Sequence, residues 1–209
     1  MFDFVLALLA KDGLVDGKTL GVDATTLEAN AALRSIVRRD TGEDYATYLT
    51  GLAQASGIAT PTRADLARLD RKRRKKGSND EWEHPHDPDA AITKMKDGRT
   101  HVAHKAEHAV DLKTGAVAAV TVQGADEGDT ATLPWTIIAA SGRLDKLRAD
   151  DAAAAKLSAA PVREVVADKG YHSNDSLVDL EERGVRSYVS EPQRGKRNWR
   201  DKERERDAV

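Results

Sequence analysis

Two acidic residues stand where a carboxylate is unusual. Asp23 interrupts Lys18–Leu27 (KTLGVDATTL), a run otherwise free of charge after its first residue and rich in β-branched side chains. Asp168 follows Arg163–Ala167 (REVVA), whose compact apolar ending suits a buried central strand. A carboxylate within a strand is costly unless a cation pairs with it, because desolvation penalises the charged form. A carboxylate at the carboxyl end of a strand lies where neighbouring strands open a crevice and ligands bind. If the two strands are neighbours, the acids converge and can share Mg2+ or Mn2+. Two such ions about 3.5–4 Å apart activate a nucleophile and stabilise the leaving oxygen of a phosphodiester. The plainer alternative is that Asp168 begins a turn and Asp23 caps something local.

The elements that must position these acids follow from pattern. Residues 2–11 read as a helix ended by Gly13, and 18–27 as a strand. Residues 29–48 are helical in pattern through Leu33, Ile36 and Val37, and 64–69 fit a short helix. Residues 71–89 carry almost no apolar content, so 31–84 is expected to be an inserted, partly flexible segment. Residues 101–111 and 116–122 read as paired strands joined by LKTG. Asp129 or Thr130 caps a helix through Ala140, with Pro134 early enough to be tolerated, and 150–160 is either helical or loose. After the strand at 163–167, Asn174 caps a helix stopped by Gly184, and 185–189 forms a further strand. A charged tail occupies 192–209. The layout is α/β with a mixed sheet.

Composition narrows the chemistry. With no cysteine among 209 residues, a disulfide framework, a cysteine-ligated zinc site and a thiol nucleophile are excluded together. Met1–Ala10 is too short to span a bilayer and lacks a basic leader, so no membrane partner and a cytosolic location are expected. No phosphate-cradling glycine loop, serine elbow or dinucleotide fingerprint is present. The basic run Arg71, Lys72, Arg73, Arg74, Lys75 and Lys76 is a candidate phosphate contact, although such runs are also commonly solvated linkers. Arg194, Lys196, Arg197, Arg200 and Trp199 are of the same kind. Lys169 and Tyr171, beside Asp168, are candidates for touching a phosphate of nucleic acid. His101, His104 and His108 resemble a metal cluster, but strand alternation sets His101 opposite the other two, and surface or structural roles are the better reading. His84 and His86 in a polar loop are read the same way, and Asp111 is read as a local hydrogen-bonding residue before the turn.

Four blocks, VDATTLEANA around Asp23, DPDAAITKMKDG at 87–98, HKAEHAVDLKTG at 104–115 and VVADKGYHSNDSLVDLEERGV at 165–185, resemble insertion-sequence transposases of the aspartate-aspartate-glutamate (DDE) type. Their order and intervals resemble that family over about residues 14–192. The resemblance implies an RNase H-like fold, with Asp23 and Asp168 as the first two catalytic, magnesium-holding carboxylates. It implies double-stranded DNA as partner, both terminal repeats and target, and a bacterial, nucleoid-associated protein; a homodimer is compatible with it. The family's third carboxylate is a glutamate on a later helix. Glu203 and Glu205 come too soon for that assignment, so it is expected beyond residue 209, with a DNA-binding region missing ahead of residue 1. Whether the 209-residue chain itself catalyses is thereby left open. The rivals are a non-catalytic DNA-binding remnant and a metal-dependent nuclease on the same fold.

Overall fold

The computed structural model describes residues 1–73, 77–95, 97–193, 195, 199–200 and 202–208. Its elements begin with α1 (Phe2–Lys11), β1 (Thr19–Glu28), β2 (Val37–Arg38), α2 (Tyr45–Ala55) and α3 (Arg63–Lys72). They continue with β3 (Trp82–Glu83), β4 (Ala91–Lys94), β5 (Thr100–Asp111), β6 (Val117–Gly124) and α4 (Asp129–Leu147). The last are α5 (Asp151–Ala154), β7 (Glu164–Ala167), α6 (Asn174–Glu182), β8 (Arg186–Val189) and α7 (Glu203–Ala208). This is an α/β protein with a mixed sheet: β1 pairs parallel with β7 and β7 with β8, while β4 pairs antiparallel with β5. No helix among the described residues is long and apolar enough to cross a membrane.

The chain divides into two compact units. The first comprises residues 1–25, 106–122 and 127–209. Its strands run in the order β6, β5, β1, β7, β8. Leu20 and Val22 of β1 and Val165 of β7 enter one core with Leu6 and Ala10 of α1 and Leu180 of α6. Helix α4 contributes Leu133, Ile137, Ala140, Leu144 and Leu147, a spacing of three and four that keeps one face inward. Leu144 and Leu147 continue that face, which is why the helix runs past Ala140, where the sequence pattern ends it. Pro134 lies within α4 and has no N–H for the carbonyl of Thr130; the Ser176 hydroxyl donates to that carbonyl at 3.3 Å instead. Ser173, rather than Asn174, caps α6 by accepting the Ser176 N–H at 3.0 Å. Gly184, at φ +70°, ends it.

The second unit comprises residues 26–105 and 123–126, and so contains the whole 31–84 segment. Here the expected helix over 29–48 is not formed. Leu33–Ser35 make a 3-10 turn, β2 pairs with β3, and the helix starts only at Tyr45. Gly42 takes a left-handed φ of +72°, and Asp44 accepts the N–H groups of Ala46 and Thr47, so the helix begins after them. Ile36 instead joins Trp82, Ala90 and Val102 in a small core. Tyr45 and Tyr48 each meet Trp82 edge-on, with ring centroids 5.1 Å apart.

Candidate active site

Strands β1 and β7 carry the two acids to one place. Their register pairs Val22 with Ala167, so Asp23 and Asp168 are the next residues on adjacent parallel strands. Laterally paired residues project to the same side of a sheet. Both acids line an open groove of about 660 Å3, with Val110, Leu112 and Val166 among its apolar walls and His108 beside them. Beyond Ala167 the backbone stays extended for one residue, since Asp168 has φ −76° and ψ 174°. Its Oδ1 accepts the Gly170 N–H at 2.7 Å and opens a 3-10 turn over Lys169–Tyr171. Asp168 therefore does begin a turn as well as facing the groove. Asp23 Oδ1 accepts the N–H of Ala24 at 2.8 Å.

The expectation that Asp23 is desolvated is not met. Asp23 and Asp168 are both exposed, because β1 leaves the core after Val22 and β7 ends at Ala167. What makes the pair unusual is convergence on one groove rather than burial.

Behind the groove lies a buried polar frame. Glu107 of β5 is fully buried and accepts hydroxyl protons from Thr132 at 2.8 Å, from Thr136, and from Tyr171 at 3.0 Å. Burial, reinforced by Glu107 and by the charges of Asp129 and Asp23, pushes the Tyr171 phenol well above its ordinary range, so it stays protonated and donates. Tyr171 is thus no nucleic-acid contact in this arrangement: it is 1% exposed and its hydroxyl is committed inward. Lys169 is exposed next to Asp168.

Asp129, in the first turn of α4, also reaches this region. A Cβ on Gly170 would meet Asp129 Oδ2 at 2.7 Å and Asp168 Oδ1 at 2.9 Å. Reading Asp129 only as a helix cap missed this proximity, which depends on how α4 meets the turn after β7. Glu107 shares one face of β5 with Lys105 and Asp111, a charged face that the fold nevertheless buries, so alternation in the sequence did not single it out.

Other candidates are dispersed. His101 pairs with Glu28 and Asp97, His104 with Asp87, and only His108 is at the groove. Among the described residues, no three histidine, aspartate or glutamate side chains gather so as to hold a metal ion. Glu203 is not part of the groove lining. Arg71 and Lys72 end α3 exposed. Arg73 is otherwise occupied: its guanidinium lies 5.2 Å from the Tyr48 ring centroid, donates to the Tyr45 hydroxyl at 3.2 Å and pairs with Asp70 at 3.5 Å. That packing removes it from the proposed phosphate-binding run. Arg74, Lys75, Lys76, Arg194, Lys196 and Arg197 lie outside the described residues.

No family model, no curated protein and no solved structure matches this chain.

Proposed function

We propose that the chain is the catalytic region of a DDE-type DNA transposase with an RNase H-like fold, acting in cleavage and transfer of DNA strands at the ends of a mobile element. The observation that supports it most is the Val22–Ala167 register, which makes Asp23, in the middle of β1, and Asp168, just past the end of β7, the next residues on adjacent parallel strands. The fold class and the four sequence blocks are compatible with the same reading.

The donor set suits magnesium or manganese. Two exposed carboxylates match an ion that binds one or two acids and completes its shell with water and substrate phosphate oxygens. Asp23 and Asp168 would hold the ion, which when bound supplies charge neutralisation and an activated oxygen nucleophile for phosphodiester cleavage. The chain's own contribution is to orient the two acids and leave the groove open on one side for a strand. Lys169, exposed next to Asp168, supplies a positive charge for a phosphate there. Arg71 and Lys72, exposed at the end of α3, extend the proposal to contacts with duplex DNA phosphates.

The test is Mn2+ binding to the full 209-residue chain by electron paramagnetic resonance, followed by cleavage and strand-transfer assays on terminal-repeat DNA. Asp23→Asn and Asp168→Asn are each expected to abolish Mn2+ binding while sparing DNA binding. Mn2+ binding that survives both substitutions rejects the site. DNA binding with neither metal binding nor cleavage returns the non-catalytic reading, and cleavage without transfer returns the nuclease.

A further inference from the structure

The turn that carries Asp168 is short, and its own bonds are local: the Tyr171 N–H to the Asp168 carbonyl at 3.2 Å and the His172 N–H to the Lys169 carbonyl at 3.3 Å. Lys169 is exposed, Gly170 has no side chain, and the Asp168 carboxylate is held locally by the Gly170 N–H. Tyr171 is the residue of this turn that is buried, and its hydroxyl reaches Glu107, 64 positions away on β5. Glu107 is itself braced from α4 by Thr132 and Thr136, and Thr136 shares a 2.6 Å hydroxyl contact with Thr121 of β6. An apolar side chain at this depth would avoid the desolvation cost of a carboxyl group. Three hydroxyl donors offset that cost for Glu107, and of these Tyr171 is the one that belongs to the turn carrying Asp168.

We infer that Glu107 is a positioning residue for Asp168: by holding the Tyr171 hydroxyl, it fixes the turn that presents the Asp168 carboxylate to the groove. The raised pKa of Tyr171 accords with this, since the phenol keeps the proton it donates. Glu107 is fully buried and not among the groove-lining residues, and it acts through Tyr171. The inference rests on the proposed function only where metal affinity is the readout.

Two measurements on the full chain test it: amide hydrogen exchange at Gly170, whose N–H holds Asp168, and Mn2+ affinity. Tyr171→Phe is expected to speed Gly170 exchange and to weaken Mn2+ binding by about 10–100-fold, the usual effect of removing a group that orients a ligand. Exchange at Val165 and Val166 in β7 should stay at the wild-type rate. Glu107→Leu should reproduce Tyr171→Phe, and Glu107→Gln, which keeps an acceptor oxygen, should restore most of the loss. Thr132→Val removes another hydroxyl from the same carboxylate but keeps the Tyr171 hydroxyl, and should leave both readouts near wild type. Unchanged Gly170 exchange in Tyr171→Phe overturns the inference, as does an equal effect of Thr132→Val, which would mark general loosening. If the wild-type chain binds no Mn2+, the metal-site reading fails, and Gly170 exchange still decides the role of Glu107.

Discussion

Asp111 holds Gly17 across 94 positions: its Oδ2 accepts the Gly17 N–H at 2.8 Å and that of Asp16 at 2.6 Å. Its Oδ1 accepts the Lys113 N–H at 2.9 Å, so one fully buried carboxylate joins the approach to β1 with the turn after β5. The local role expected from sequence is present, but it is the smaller part of what this side chain does.

Removing that acceptor strands three backbone donors. An unsatisfied buried group costs about 1–3 kcal/mol, and of the three donors the Gly17 N–H is the fully buried one, so Asp111→Ala is expected to lose about 2–3 kcal/mol, read by urea unfolding. Asp111→Asn keeps one acceptor oxygen and should lose roughly half as much. A loss below about 1 kcal/mol for the alanine variant would show that water or backbone movement replaces the carboxylate.

Gly170 is a steric prediction at the site itself. A methyl group there collides with the ends of two side chains, Asp129 and Asp168, rather than with backbone. Carboxylate ends rotate away cheaply, so Gly170→Ala should lower stability by less than about 1 kcal/mol, the scale of surface substitutions. Displacing Asp168 should nevertheless weaken Mn2+ binding at least about tenfold, as loss of ligand orientation does. Wild-type affinity in Gly170→Ala would mean that the Asp168 carboxylate has room to recover its place.

The pair Asp23 and Asp168 was legible because each breaks a strong local pattern: one interrupts a strand and the other ends an apolar run. Their adjacency was not written in either segment; it depends on β1 pairing parallel with β7, a contact between distant pieces of chain. Most of the first unit followed from periodicity, since its helices and strands bury regular faces. The second unit did not. Leu33, Ile36 and Val37 carry a helical spacing, yet Gly42 and the Asp44 cap move the helix start to Tyr45, and Trp82 gathers Ile36 into a loop-built core. Trp82 lay within a run read as nearly featureless. Such a core is made by a few large rings from separate segments, and short windows of sequence do not show it.

Trp82 should therefore dominate the stability of that unit. It is 1% exposed and meets Tyr45 and Tyr48 edge-on, with the Arg38 guanidinium 5.8 Å from its ring centroid. Trp82→Ala is expected to cost about 3–5 kcal/mol, the range for deleting a large buried aromatic, and Trp82→Phe distinctly less because an edge contact survives. Chemical denaturation followed by circular dichroism measures both. Equal losses would indicate that a phenyl ring at this position makes no surviving edge contact with Tyr45 or Tyr48.

His101 gives the second unit a pH dependence whose sign can be worked out. Its Nδ1 lies 2.7 Å from Glu28 Oε1 and its Nε2 3.1 Å from Asp97 Oδ2, so only the imidazolium can donate to both carboxylates at once. The hydrogen bond to Glu28 first, then that to Asp97, raises its pKa above the usual histidine value. A group with a raised folded-state pKa contributes stability fully below its unfolded pKa, and loses that contribution as pH rises through the folded one. The chain should thus lose a small increment of stability as pH climbs from about 6.5, the unperturbed histidine value, through the raised value. Titration of the His101 ring protons by NMR should place its midpoint above about 6.5. Glu28→Gln should bring the midpoint down and flatten the pH dependence of unfolding, with Asp97→Asn doing the same to a lesser degree because its contribution is the second in size. A midpoint unmoved by Glu28→Gln would mean that the contact does not persist in solution.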